Sequence, residues 1–328
     1  MQMNIFFKED YGKYNVVVFF DIIKVRINMS SAHGKFILIG EHAVVYGHQA
    51  IAIPLEEAMI SIDLLTYDED YLESEFYKGS ILKLPEAFLS IQLLYEKLKE
   101  DLSLPPLKII VNNQTVIGAG LGASATFAAA LTRALHAYAQ IKLSNEVLLS
   151  YIDFAENISH GKASGIDARA VISNRPFIFE NGNIKTFNID LDAYILVVYS
   201  NVVGHTKKAV TKVKYMVDND NGSLLIQSLQ DNTMKAIENI KLKRVIQLGH
   251  ILNDTQRILK TLGISHERID AMIKIALDHG AYGAKLTGGG LGGCVMVLGN
   301  KRIVESLKKT YEDMGYNKAF IKYLGENT

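Results

Sequence analysis

The chain has a single cysteine, Cys294, among 328 residues, so no internal disulfide can form, which suits a reducing cytosol. Lying in a glycine-rich run, Cys294 reads as a small packed residue rather than a nucleophile. Net charge is missing too, because 35 Lys+Arg balance 35 Asp+Glu. That balance leaves no bulk basic field for nucleic acid or an acidic membrane, and a small-molecule partner is expected. Long hydrophobic runs are also lacking. Val16 to Phe20 is apolar but stops at Asp21, without a small-residue cleavage site and far short of the roughly 20 apolar residues a spanning helix needs. No targeting signal is evident, and a cytoplasmic setting is expected. The absence of any G-x-x-x-x-G-K-[ST] excludes a P-loop. No tandem repeat, low-complexity tract or Cys/His metal cluster is present.

What the chain does have centres on Thr115 to Leu135, TVIGAGLGASATFAAALTRAL. Gly118, Gly120 and Gly122 remove side chains where backbone must turn or let a ligand approach. Ser124 and Thr126 then open an alanine-rich helix, whose free N–H groups and positive dipole end suit an anion, most often a phosphate. Gly118 to Ala123 also spells the dinucleotide pattern G-x-G-x-x-A. That pattern needs an acidic residue about twenty positions on, whereas Tyr138 stands there and no Asp or Glu appears before Glu146. A third reading is that the glycines merely let a helix pack closely on a sheet.

At this length two domains are expected, divided near residue 190 into 1–190 and 191–328, with apolar content sufficient for two cores. In chain order, Ile22 to Ile27 reads as a strand, preceded by an extra strand or an over-long start. In Ser30 to Leu55, two apolar β-prone runs, Phe36–Ile39 and Ala43–Tyr46, flank a turn carrying Glu41 and His42. Taken alone, Lys35 reads as a solvated strand end and His42 as a packing residue. Glu57 to Leu65 alternates like a half-buried strand, and the acidic stretch Asp68 to Glu75 reads as a solvated loop. Pro85 to Asp101 has helical spacing, ended by Pro105-Pro106 before the strand Leu107–Val111. Ser144 or Asn145 caps the next helix, with Val147, Leu148, Tyr151, Ile152, Ala155 and Ile158 on its apolar face. Glu156 lies beside that face, where a carboxylate needs a cation or a metal. HGKASGIDARA follows, with Gly161 as a helix stop and Asp167 at the start of a short helix, whose N-terminus favours the ionised carboxylate. Beyond residue 190 come a strand, Ala193–Tyr199, and a loop with His205, Thr206 and Lys207. A charged helix from about Lys208, three further helices, and a second glycine-rich segment, KLTGGGLGGCVMVL from Lys285 to Leu298, complete the pattern.

Four segments in this order, GKFILIGEHAVVYG, GAGLGASA, HGKASGIDA and KLTGGGLGGC, resemble the superfamily of galactokinase, homoserine kinase, mevalonate kinase and phosphomevalonate kinase, most closely its mevalonate kinase branch. The resemblance covers about Ser31 to Leu298. It implies an α+β fold of two domains, ribosomal-S5-like in the N-terminal half and ferredoxin-like in the C-terminal half, with ATP in the cleft between. By matching motifs, Gly118, Ala119, Gly120, Leu121, Gly122, Ala123 and Ser124 would wrap the phosphates, supported by Gly288, Gly289 and Gly290. Ser124 and Glu156 would hold Mg²⁺, and Asp167 with Lys35 would face the substrate hydroxyl. Glu41 and His42 match a pair on the mevalonate side, and Thr206 a threonine close to the catalytic segment. The sequence departs from the pattern at His33 and Ala163, where relatives commonly carry proline, and at Ala123, which replaces the first of two serines.

Phosphoryl transfer rests on positioning and charge stabilisation. The resemblance therefore implies ATP- and Mg²⁺-dependent phosphorylation of mevalonate, and leaves a homodimer open. Two rival readings stand beside it: another small-molecule kinase of the family, such as phosphomevalonate kinase, and a non-catalytic ligand sensor. Joint retention of Lys35, Ser124, Glu156 and Asp167 weighs against the sensor.

Overall fold

The computed structural model describes residues 5–10, 13–18, 27–160, 165–219 and 222–325. Near the start, Ile5–Asp10 (β1) and Lys13–Val18 (β2) pair antiparallel as a separate two-stranded sheet. Of the strand expected over Ile22 to Ile27, only Ile27 falls within the described residues.

The first large sheet contains Ile27–Ile39 (β3), Ala50–Thr66 (β4), Tyr71–Glu73 (β5), Lys78–Ser80 (β6), Leu107–Asn113 (β7), Phe177–Glu180 (β8) and Asn183–Thr186 (β9). Its order is β6-β5-β7-β4-β8-β9, with β3 paired antiparallel to β4. Along β4 the side chains of Ile60, Ile62 and Leu64 alternate onto one face. There they meet Leu94, Leu131 and Ile152 from three helices, Leu89–Asp101 (α1), Ala123–Tyr138 (α2) and Asn145–His160 (α3). A five-residue helix, Ile166–Ala170 (α4), follows. The β3–β4 ladder breaks between His33 and Gly34, where Glu56, Glu57 and Ala58 have no ladder partner on β3 and that strand is released from strict pairing. Such irregularities re-aim a strand, and here the amide of Lys35 turns to the Leu121 carbonyl, 3.0 Å away.

The second sheet is antiparallel, in the order β11-β12-β10-β13, from Tyr194–Tyr199 (β10), Gly283–Thr287 (β11), Cys294–Gly299 (β12) and Ala319–Tyr323 (β13). Thr206–Asn219 (α5), Gly222–Lys241 (α6), Val245–Thr261 (α7) and Glu267–Asp278 (α8) connect β10 to β11, and Lys301–Asp313 (α9) connects β12 to β13. This is the βαββαβ connectivity of a ferredoxin-like layer with an enlarged first crossover. The expected α+β architecture is what the chain adopts. The two sheets also share a core, in which Phe36, Leu38, Ile51 and Ile53 of the first pack with Ile195, Val197, Met296 and Leu298 of the second. Each such fully buried side chain contributes about 1.5–3 kcal/mol.

Several local expectations need correction. Ala43–Tyr46 is a single 3-10 turn, not a strand, and it stops at Gly47, whose φ is +86°. Four apolar residues cannot by themselves distinguish strand from turn, and Val45 and Tyr46 are in fact exposed. The acidic stretch Asp68 to Glu75 is not uniformly solvated. It contains β5, and Asp70 is buried, accepting from the Tyr95 hydroxyl and from Lys99. Val147 lies exposed on the first turn of α3 rather than on its apolar face, while Ser144 provides the cap through its hydroxyl to the Val147 amide. The second glycine segment starts within β11, so it joins two strands rather than a helix to a strand.

Candidate active site

Between β7 and α2 the loop alternates. Ala119 and Leu121 are fully buried in the core shared by the two sheets, whereas Gly118, Gly120 and Gly122 take φ of +73°, +80° and +74°. Apolar anchors fix the loop from below, and the glycines between them supply turns that side chains resist. Gly122 precedes α2 without a side-chain cap, leaving the first amides of a long helix open to an anion. The second glycine loop presses on the first. A Cβ on Gly120 would lie 3.3 Å from the Gly288 Cα, and one on Gly289 would collide with the Thr206 hydroxyl. Both loops, Ser124, Glu156, Asp167 and Thr206 line one cleft of about 960 Å³, a size suited to a small-molecule or cofactor site.

Lys35 is buried rather than solvated. Its ammonium stands 2.7 Å from an Asp167 carboxylate oxygen, with side-chain exposures of 3% and 35%, and it donates to the Gly120 carbonyl at 3.2 Å. One cation thus ties the first glycine loop to a carboxylate that stays open to the cleft. His33 precedes Lys35 on the same strand, with its ring Nδ1 2.9 Å from the Gly34 carbonyl. Residues 161–164, Ala163 among them, lie outside the described residues. Ser124 and Glu156 offer a hydroxyl and a carboxylate on the same cleft, hard oxygen donors of the kind Mg²⁺ takes together with phosphates and water. Among the described residues no group of three or more His, Cys, Asp or Glu could hold a metal. A metal here would therefore rely on phosphate oxygens and water for the rest of its shell.

The turn after β3 carries the other two predicted residues. Glu41 is buried and forms an ion pair with Lys285 of β11. Burial pushes the Glu41 carboxyl up and the Lys285 ammonium down, each opposed by the other's charge. His42 takes φ of +62°, and its Nε2 donates to the Gly289 carbonyl at 2.9 Å. Burial lowers the ring's pKa to about 4, with the Gly289 carbonyl opposing and the Lys285 charge assisting. Thr287 completes the seam. Its hydroxyl accepts from the Ile37 amide at 3.0 Å and donates to the Ile37 carbonyl at 2.9 Å.

The predicted residues therefore fall into two groups. The glycine loops, Ser124, Glu156, Asp167, Lys35 and Thr206 gather at the cleft. Glu41 and His42 sit in the seam that joins the two sheets behind it. Sequence reasoning missed Lys285, although a lysine between Ala284 and Leu286 in an apolar strand is itself a signal that a buried partner must exist. Cys294 is buried, which raises its thiol pKa, as befits a packing residue.

A glycine loop at a helix start, a second loop locked onto it and an aspartate on the same cleft paired with a buried lysine define a kinase of small molecules. The family descriptions "GHMP kinases N terminal domain" and "GHMP kinases C terminal" match residues 89–175 and 234–317, together just over half the chain. The chain belongs to the GHMP kinases. It is 29% identical over 301 residues to the mevalonate kinase of Thermococcus onnurineus, covering 82% of this chain and 88% of that relative. The crystal structure of mevalonate kinase from Staphylococcus aureus MRSA252 superposes with a TM-score of 0.71 at 28% identity, covering 92% of this chain and all of that one. That of the Leishmania major enzyme in complex with R-mevalonate gives 0.74 at 22% identity, covering 92% and 96%. Among the described residues no helix is long and apolar enough to cross a membrane.

Proposed function

We propose that this GHMP kinase transfers the γ-phosphoryl group of ATP to the primary hydroxyl of mevalonate. The observation that carries the reading is the Lys35–Asp167 pair at 2.7 Å, set against a glycine loop that opens a long helix. The open amides of that helix and the backbone of Gly118 to Gly122 take the triphosphate, and Gly288 to Gly290 brace them. The apolar end of the cleft, walled by Leu72, Tyr77, Phe88 and Phe127, takes the base. Ser124 and Glu156 would hold Mg²⁺, which would supply neutralisation of the phosphate charge. Asp167 orients the acceptor hydroxyl and receives its proton as the new O–P bond forms and the bond to the β-phosphate oxygen breaks. In a loose transition state the alcohol loses that proton late, so positioning by Asp167 counts for more than its basicity. Lys35 holds Asp167 in place through their ion pair. Glu41 and His42 lie on the acceptor side.

Strong likeness to mevalonate kinases over most of the chain supports the choice of acceptor within a family whose fold hosts several. The same reading makes 1–190 the ATP-binding and catalytic unit and 191–328 the C-terminal unit, since the first large sheet ends at Thr186 and the second begins at Tyr194. It also carries a cytosolic setting with no need of nucleic acid or membrane, and light scattering would read whether the chain pairs as a homodimer. The deciding experiment is ATP consumption by the purified chain with mevalonate, phosphomevalonate, galactose or homoserine. Mevalonate is expected to give the highest kcat/KM. A value for phosphomevalonate tenfold above it would replace this reading by phosphomevalonate kinase, and no consumption with any of them would favour a sensor.

A further inference from the structure

His42 lies on the acceptor side of the seam, yet its ring bonds to the loop that braces the nucleotide. Its backbone is left-handed, with φ of +62°, and its side chain is buried. Both features cost stability, because side chains resist that backbone and a buried imidazole needs partners for its polar atoms. Such costs gather where function requires a fixed geometry. What they secure here is the hydrogen bond from Nε2 to the Gly289 carbonyl, at 2.9 Å. Among the described residues no backbone amide donates to that carbonyl.

The direction of this bond sets the rest of the peptide. A trans peptide is planar, with its carbonyl and its N–H on opposite edges, so drawing the Gly289 carbonyl into the seam turns the Gly290 amide the other way. Gly290 is buried and lines the cleft. Its carbonyl accepts from the His205 amide at 3.2 Å, whereas its own N–H has no acceptor among the described residues. The loop is packed too closely to relieve this by shifting, since a Cβ on Gly290 would lie 2.6 Å from the Ile264 carbonyl. A buried amide left without an acceptor is completed by one that the chain does not supply. Gly288 touches Gly120 of the first glycine loop, so phosphates laid along that loop come up against the second one, and an anionic oxygen suits a lone N–H donor.

We propose that His42 is a positioning residue for the nucleotide: by anchoring the Gly289 carbonyl it holds the Gly290 amide toward the cleft, where that amide donates to a phosphate oxygen of ATP. The inference rests on the reading of this cleft as the site of an ATP-dependent kinase. It gives His42 an effect on the nucleotide rather than on the alcohol, exerted through a loop it touches and not through contact with either substrate.

Steady-state kinetics with mevalonate and MgATP, together with MgATP binding, test this on the full-length chain in H42N and H42Q. Asparagine accepts left-handed backbone but its amide stops short of the place of Nε2, whereas glutamine carries an N–H donor about that far. In H42N the ATP KM and the MgATP Kd should rise roughly tenfold, the effect of one hydrogen bond to a charged group, while the mevalonate KM changes less than twofold. H42Q should recover most of the ATP affinity. A purely structural role would lower thermal stability without splitting the two KM values, and direct contact with the alcohol would raise the mevalonate KM instead. Either result overturns the inference. The wild type provides a measurement that depends on no variant: MgATP without acceptor should slow hydrogen exchange at the Gly290 amide, and mevalonate alone should not. An unchanged Gly290 amide in a chain that binds MgATP overturns the inference and leaves the functional reading standing. A wild-type chain that binds no MgATP overturns that reading itself, and the inference with it.

Discussion

The ammonium of Lys35, closed off from solvent on β3, lies 2.7 Å from the carboxylate of Asp167, which keeps a face on the cleft from the first turn of α4. The same ammonium bonds the Gly120 carbonyl, so one buried cation links a strand, the first glycine loop and the residue proposed to meet the substrate hydroxyl.

This linkage predicts that Lys35 and Asp167 act as a unit. Asp167→Asn keeps the shape and removes the charge and the base, so kcat should fall by roughly 10²–10⁴, the usual range for general base catalysis, with little change in nucleotide affinity. Lys35→Met should also lower kcat. The double variant should be scarcely slower than the worse single one, because each side chain acts through the other. Single-turnover rates in the three variants measure this, and losses that multiplied would mean two independent roles.

A second prediction concerns Glu156, which is 3% exposed and lines the cleft with Ser124. Glu156→Gln removes the charge with little change in volume. The Mg²⁺ concentration for half-maximal rate should rise several-fold while the far-UV circular dichroism stays that of the wild type, since Mg²⁺ leans on only one or two carboxylates. A Mg²⁺ titration of initial rates reads it, and a superimposable curve would remove Glu156 from the metal site.

Much of this arrangement was legible in the sequence, and what was not has physical reasons. The helix α2 and the loop before it are local: glycines, a helix start and an apolar periodicity lie within one window, so loop and helix were both readable. Asp167 and Lys35 were found through the motifs that carry them, because no rule of spacing brings such distant residues together. Burial of Lys35 and Asp70 was not readable. Each is a single charge in a polar or terminal context, and only the fold shows what covers it. Ala43–Tyr46 misled because apolar content without a period fits a strand and a tight turn alike. The seam of Glu41, Lys285, Thr287 and Ile37 joins two sheets, and nothing local in either segment marks the other as its partner.

The last prediction follows from His42, whose ring is buried and gives its Nε2 proton to the Gly289 carbonyl. Burial depresses its pKa to about 4 from the usual 6.5, so the folded protein keeps the ring neutral in a range where the unfolded chain takes up a proton. The sign follows from linkage: protons bind the unfolded state more tightly, so this contribution is complete above pH 6.5 and is lost as pH falls from there toward 4. Between pH 8 and pH 5 the loss should be about 2 kcal/mol from this ring alone. Urea unfolding at the two pH values measures it. His42→Asn removes the titrating ring, and asparagine tolerates the left-handed backbone that this position requires, with φ of +62°. Its unfolding free energy should therefore fall less between pH 8 and pH 5 than that of the wild type, by about 2 kcal/mol, because every other titrating group is common to both proteins. Equal losses in the two would show that the imidazole is not what the acid limb reads, and that His42 already titrates in the folded seam as it does in the open chain.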